Sequence, residues 1–393
     1  MNTVRSCAFI CCALLFLLAP QRSVAQRDAW IATWTASPEP GVPFPGLPVL
    51  NLQDQTVRER VRISVGGSQI RIRLSNEYGS SPLVLDSVTV AAPSDLASVK
   101  SGSILPVTFG GRNSITIPAG APAISDPVAF PVDFGAEISV SLHFPQRVTT
   151  PTWHSQALKR AVVSPQGDHT HDGKIEGGTE TLRLVVLSAV LVPEPPSHRV
   201  VVAFGDSIVD GHGSSVEADR DWPSDLIRRL GKTPAGSKWA VVNEGIGGNR
   251  LLAEHIASLG VSALTRFDRD ALSVPGVTHI VLAEGLNDIG MPGAKLGDVS
   301  LADPAEVRTA DDLIGAYRQL IARAHARGVK LIGCTLTPIE GGDIPGFYSD
   351  AKEATRQAVN KWIRTSGAFD GVIDFDAVVR DPDHPGRLLP RFA

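Results

Sequence analysis

Cysteine is almost absent: Cys7, Cys11 and Cys12 crowd the first twelve residues, and Cys334 stands alone in the rest. One later thiol excludes an internal disulfide framework and a cysteine-rich metal centre. Its setting in the apolar run VKLIGCTL reads as a packed core side chain. Excess basic charge is lacking too. The formal net charge is −4 and no basic stripe occurs, which argues against a nucleic-acid partner. After the N-terminal segment no apolar run is long enough to cross a bilayer. No internal repeat or low-complexity tract is present. What is there is an ordinary globular composition, 43% hydrophobic and 20% charged over 393 residues, long enough for two domains with real cores.

The first residues differ from the rest. Arg5 precedes the run CAFICCALLFLLAP, and small residues lead to Ala25. A positive start, a short apolar stretch and a small-residue cut site describe a secretory signal peptide over 1–25. The expectation is an exported protein, periplasmic or extracellular, with no membrane span once the signal is removed.

The remainder has two periodicities. Over 26–195 the chain alternates as strands do: Val57, Val61, Ile63 and Val65 share one face, as do Ile70, Ile72 and Leu74. Gly66-Gly67 between these runs predicts a hairpin. No amphipathic helix interrupts the pattern, so a β-sandwich is expected. PEPPSH, Pro193 to His198, reads as a linker. Over 196–393 the runs RVVVAF, WAVVNE, THIVLAEG, VKLIGCTL and GVIDF are apolar on both faces, as buried parallel strands are. Helical patterns lie between them. One starts at a Thr309–Asp312 capping pattern, buries Leu313, Ile314, Tyr317, Leu320, Ile321 and Ala324, and stops at Gly328. Another directs Ala358, Val359, Trp362 and Ile363 inward. Alternating β and α elements imply an α/β fold with a doubly wound parallel sheet.

In such sheets ligands gather beyond the carboxyl ends of the strands. Three strands end unusually there, in AFGDS, VVNEGIGGNR and LAEGLND. Glycine turns and a helix cap account for each one alone. Together they suggest acyl transfer, with Ser207 as an exposed hydroxyl, Gly248 offering an unobstructed backbone N–H and Asn287 a side-chain amide.

These blocks, FGDSIVDG, NEGIGGNRLL and EGLNDIG, resemble in order the first three signature blocks of the SGNH (GDSL-type) hydrolases. The opening WIATWTASP and the β-rich first half resemble two-domain secreted members. The resemblance implies a flavodoxin-like α/β domain behind an all-β sandwich, and ester hydrolysis with no metal or organic cofactor. Ser207 is then the nucleophile, and the Ser207 and Gly248 N–H groups with the Asn287 amide form the oxyanion hole. Small-molecule or carbohydrate esters are the implied substrates. The family's base comes from a late Asp-x-x-His block, and DPDHP supplies Asp381 and His384 at that spacing. Two-domain relatives carry a segment like this one ahead of their base block and closing helix, whereas this chain stops at LLPRFA. Two readings stay open. Asp381 and His384 are the working pair, or the true block is missing and the chain is an impaired fragment or a non-catalytic carbohydrate-binding protein.

Other residues read as structural. His212 reads as a surface residue, and His255, His279 and His325 fall in ordinary helix or strand contexts. DHTHDG, Asp168 to Gly173, reads as a solvated loop and not a metal cluster. Trp30, Trp34 and Trp153 read as packing residues and not a sugar platform.

Overall fold

The computed structural model describes residues 29–43, 50–194, 197–234, 236–254 and 256–392. The signal-peptide reading, Pro195-Pro196 of the linker, and His255 lie outside these residues.

Before Arg199 the described residues form antiparallel sheets and no helix. One sheet has four strands, in the order Trp30–Thr35, Leu187–Pro193, Arg71–Ser75 and Pro122–Ile124. A larger one has six, with Gln55–Arg62 and Glu137–Phe144 at its centre. The expected apolar faces are buried: Val57, Val61, Ile63, Val65, Ile70, Ile72 and Leu74 all lie in one core. The Gly66-Gly67 hairpin does not form. Gln55–Arg62 belongs to the six-stranded sheet and Arg71–Ser75 to the four-stranded one, so the glycines turn a corner between sheets. Close packing explains why glycine stands there. A Cβ on Gly66 would lie 2.4 Å from the Val132 carbonyl oxygen, and one on Gly67 would lie 2.8 Å from Val192 Cβ.

From Arg199 onward five parallel strands form a single sheet: Arg199–Gly205, Trp239–Gly245, Val277–Ala283, Lys330–Cys334 and Gly371–Ile373. Numbered along the chain, their spatial order is second, first, third, fourth, fifth. That is the flavodoxin-like order, whose switch point lies between the first and third strands. The helix Ala310–Ala326 begins at a Thr309 capping box and buries Leu313, Tyr317, Leu320, Ile321 and Ala324. The helix Asp350–Thr365 departs from expectation. Val359 and Ile363 are buried, but Ala358 faces solvent, and Arg356 and Asn360 take the inward positions. Arg356 is tolerated because Asp376 accepts its Nη1–H at 2.7 Å and Glu353 accepts from Nε and Nη2. Cys334 is buried, and burial pushes its thiol well up.

The halves share a continuous apolar core. At the seam the Ala32 N–H donates to the Pro275 carbonyl at 2.9 Å, and Thr35 Oγ1 donates to the Asn243 carbonyl at 3.1 Å. Trp153 is buried under the Arg183 guanidinium, and Trp30 packs against Arg71. No helix among the described residues is long and apolar enough to cross a membrane.

Candidate active site

The first parallel strand ends at Gly205, level with Gly245 on one neighbour and Ala283 on the other. A Cβ on Gly205 would lie 2.0 Å from the Ala283 carbonyl oxygen and 2.6 Å from Val209 Cγ2. The strand–turn–helix junction is therefore too tight for any side chain. Gly205→Ala is expected to cost about 3 kcal/mol, because the Ala283 backbone and the Val209 side chain must both move. Chemical denaturation checks this, and a loss below about 1 kcal/mol would show the junction to be slack. Asp206 follows as the N-cap, accepting the Ile208 N–H at 2.9 Å. Ser207 then opens a single helical turn, Ser207–Asp210, half-buried, with no hydrogen bond to its Oγ among the described residues.

The second strand runs into a turn at Ile246–Asn249, where the Asn249 N–H donates to the Ile246 carbonyl. Gly248 holds φ +75°, a left-handed conformation that costs other residues strain. After the third strand, Asn287 is buried, and its Nδ2 donates to the Asn249 carbonyl at 2.8 Å. Asp288 accepts the N–H groups of Leu251 at 2.6 Å and Leu252 at 2.9 Å. These bonds tie the Gly248 loop to the Asn287 segment. The structure thus gathers the segments carrying Ser207, Gly248 and Asn287 at one sheet edge, at the switch point.

A polar layer lies under them. Arg266 is fully buried: Nη2 donates to Gly205 O (2.8 Å), Nη1 to Glu244 O (2.8 Å) and Ser37 Oγ (3.1 Å), and Nε to Asn249 Oδ1 (2.9 Å). One guanidinium fastens the strand before Ser207, the second strand and the Gly248 loop to the β-half. Two carboxyls near it, Asp206 and Glu244, titrate high. Burial, opposed by the Ile208 N–H and reinforced by Asp288, pushes Asp206 up to about 7. Burial and the neighbouring Asp270 push Glu244 up to about 8.

Asp381 and His384 lie elsewhere. They follow the fifth strand, three places from the first, which at the usual strand spacing is about 14 Å away. The loop closes on itself: Arg380 bridges Leu388, and the Asp381 N–H donates to the Arg387 carbonyl at 2.9 Å. Asp381 Oδ1 accepts the Asp383 N–H, and Arg387 Nε fastens the loop to Glu340. His384 is exposed, and among the described residues its ring has no hydrogen bond. His212 is exposed and pairs through Nδ1 with Gln156 Oε1 at 2.7 Å. His279 pairs with Thr278, His325 with Asp370, and His169 of the DHTHDG loop with Asp172.

A cavity of about 350 Å³ opens between the halves beside Trp34, Phe134, Leu158 and Ile227, but Ser207, Gly248 and Asn287 do not line it. The cleft that Gly248 does line, with Leu259, Met291 and Leu301, measures about 10 Å³. That is room for one water.

The family model for GDSL-like lipases and acylhydrolases matches residues 203–391. Among solved structures, the chain is similar to a GDSL-like lipase from Bacteroides thetaiotaomicron VPI-5482, at 15% identity, 51% of this chain, 80% of that chain and a TM-score of 0.36. It is also similar to a carbohydrate acetylesterase from Sinorhizobium meliloti, at 14% identity, 47% of this chain, 87% of that chain and a TM-score of 0.35. No curated protein sequence matches.

Proposed function

Through residues 203–391 the chain belongs to the GDSL-like lipase/acylhydrolase family, and on that premise we propose that it is an exported serine esterase cleaving short acyl esters of small or carbohydrate alcohols. The observation that carries this is the meeting of the Ser207, Gly248 and Asn287 segments at the switch point of the sheet. Ser207 Oγ attacks the ester carbonyl, and its proton passes to the base. The Ser207 and Gly248 N–H groups and the Asn287 amide receive the oxyanion, each such donor contributing about 3 kcal/mol. Collapse releases the alcohol, which takes the proton back, and water then frees the acyl group from Ser207.

His384 is the proposed base, with Asp381 as the partner that would have to turn to orient its ring, since Asp381 now accepts the Asp383 N–H. To act, its loop must cross toward Ser207. The impaired-protein reading competes because no described residue hydrogen-bonds Ser207 Oγ. Hydrolysis of p-nitrophenyl acetate by the chain, by Ser207→Ala and by His384→Ala separates the two. A loss of about 10⁴-fold in both variants supports the esterase with His384 as base. Loss in Ser207→Ala alone gives the base to another group. Background rates in all three sink the hydrolase reading.

A further inference from the structure

The β-half reaches the oxyanion loop through a chain of contacts that the reaction above leaves unused. Its strand Thr152–His154 pairs with Glu39–Pro40 and delivers His154 to the seam. The imidazole is buried. Nδ1 donates to the Ser37 carbonyl at 3.1 Å and lies 3.1 Å from Glu39 Oε1, while Nε2 donates to Asp210 Oδ1 at 3.0 Å. Both ring nitrogens therefore face acceptors. Burial alone would lower this histidine, but Asp210 and Glu39 on either side hold it well above the ordinary range.

Asp210 is the last residue of the turn that Ser207 opens. Its other oxygen, Oδ2, accepts the Gly247 N–H at 3.0 Å. Gly247 immediately precedes Gly248, and with two soft dihedrals and no side chain it cannot fix its own orientation. Beyond Gly248 the loop is anchored at Asn249, held by Asn287, by Arg266 and by the carbonyls of Leu259 and Val261. Before Gly248 the hold shown for the Gly247 N–H is Asp210, whose carboxyl burial pushes up while His154 pulls it back down and holds it in place. Gln156, two residues on, would touch a Cβ on Gly247 at 2.9 Å, so the same segment closes over the loop.

We propose that His154 is a positioning residue for the oxyanion hole: through Asp210 it fixes the Gly247 N–H and thereby aims the Gly248 N–H, which makes the β-half a working part of the site. The catalytic side of this rests on the esterase reading; the mechanical side does not. Removing the imidazolium leaves Glu39 and Asp210 buried without their shared cation. Asp210 then takes up a proton or turns away, and the Gly247 peptide is released.

The test uses His154→Gln and His154→Leu in the full chain, with two readouts. The first is hydrogen exchange, independent of activity. Exchange across 246–248 is expected to rise at least about tenfold in both variants, with the parallel strands 200–204 and 279–282 unchanged. The second is p-nitrophenyl acetate kinetics. There kcat is expected to fall about 10- to 100-fold with KM within about twofold, and leucine to be worse than glutamine, which keeps one donor. Unchanged exchange at 246–248 overturns the proposal, as does a fall confined to KM. If the unaltered chain has no activity, the esterase reading fails and exchange alone decides this one. If neither His154 variant folds, the near-isosteric Asp210→Asn carries the same expectations, since its one acceptor oxygen cannot serve both His154 and Gly247.

Discussion

Arg266→Met is expected to destabilise the chain by roughly 3–5 kcal/mol, because a buried cation is removed while its carboxylate partners stay. The guanidinium is fully buried, and Asp270 Oδ2 lies 3.4 Å from Nη1. It also satisfies carbonyls at the ends of two parallel strands, Gly205 and Glu244, and the side chain of Asn249. Methionine keeps much of the contact that Arg266 makes across the Phe204 ring at 4.1 Å, so the loss reports charge and hydrogen bonding more than volume. Equilibrium urea denaturation of both proteins measures it. A difference below about 1 kcal/mol would mean that water or a neighbouring side chain replaces the guanidinium, and that the layer is not dry.

This residue also marks where reading the sequence stops. The parallel strands are legible because burial on both faces leaves a continuous Val/Ile signature, and the Ala310–Ala326 helix because its capping box is local. The sandwich was legible as to which faces are buried but not as to partners. Alternation places Val57 and Ile72 inward, yet it cannot tell that their strands join different sheets, and Gly66-Gly67 serves a corner as well as a hairpin. Buried arginines leave no local trace either. Arg58, Arg266 and Arg356 are among the largest fully buried side chains, and nothing in their own residue type distinguishes them from surface arginines. Helical periodicity puts Ala358 inward, but the face is set by Arg356 and Asn360, which bond to Asp376 and Leu336 outside the helix.

The candidate site divides the same way. Ser207, Gly248 and Asn287 sit in short motifs directly after strands, where chain direction alone fixes the sheet edge they reach. His154, Ser37 and Gln156 come from the other half, through pairing that no nearby pattern encodes. The WIATWTASP segment stood out as a family likeness, and the structure gives it a physical role: Thr35 and Ser37 grip the end of the second parallel strand.

Stability is expected to fall as pH rises from about 5 to about 9, against the usual trend for carboxylates. Glu244 titrates at about 8 and Asp206 at about 7, both above their unfolded values near 4. Between unfolded and folded values the native state binds more protons, so the slope of unfolding free energy with pH is negative, approaching 1.4 kcal/mol per pH unit for each group. Each contribution is complete below about pH 4 and lost as pH passes its folded value. His154 acts in the same direction: its raised value adds stability below about 6.5 that disappears as it deprotonates. Asp374 works the other way, but Arg364 holds it at about 2, so its loss is confined to acid below this window. Melting the chain at pH 5.5, 7 and 8.5 should give a descending series. Glu244→Gln should flatten it, because glutamine removes one of these proton uptakes while keeping an acceptor for Ser37 Oγ, which donates to Glu244 Oε2 at 2.6 Å. An ascending series would mean that Arg266 keeps these carboxylates charged throughout, and that the layer beneath Ser207 is a true ion network and not a set of protonated acids.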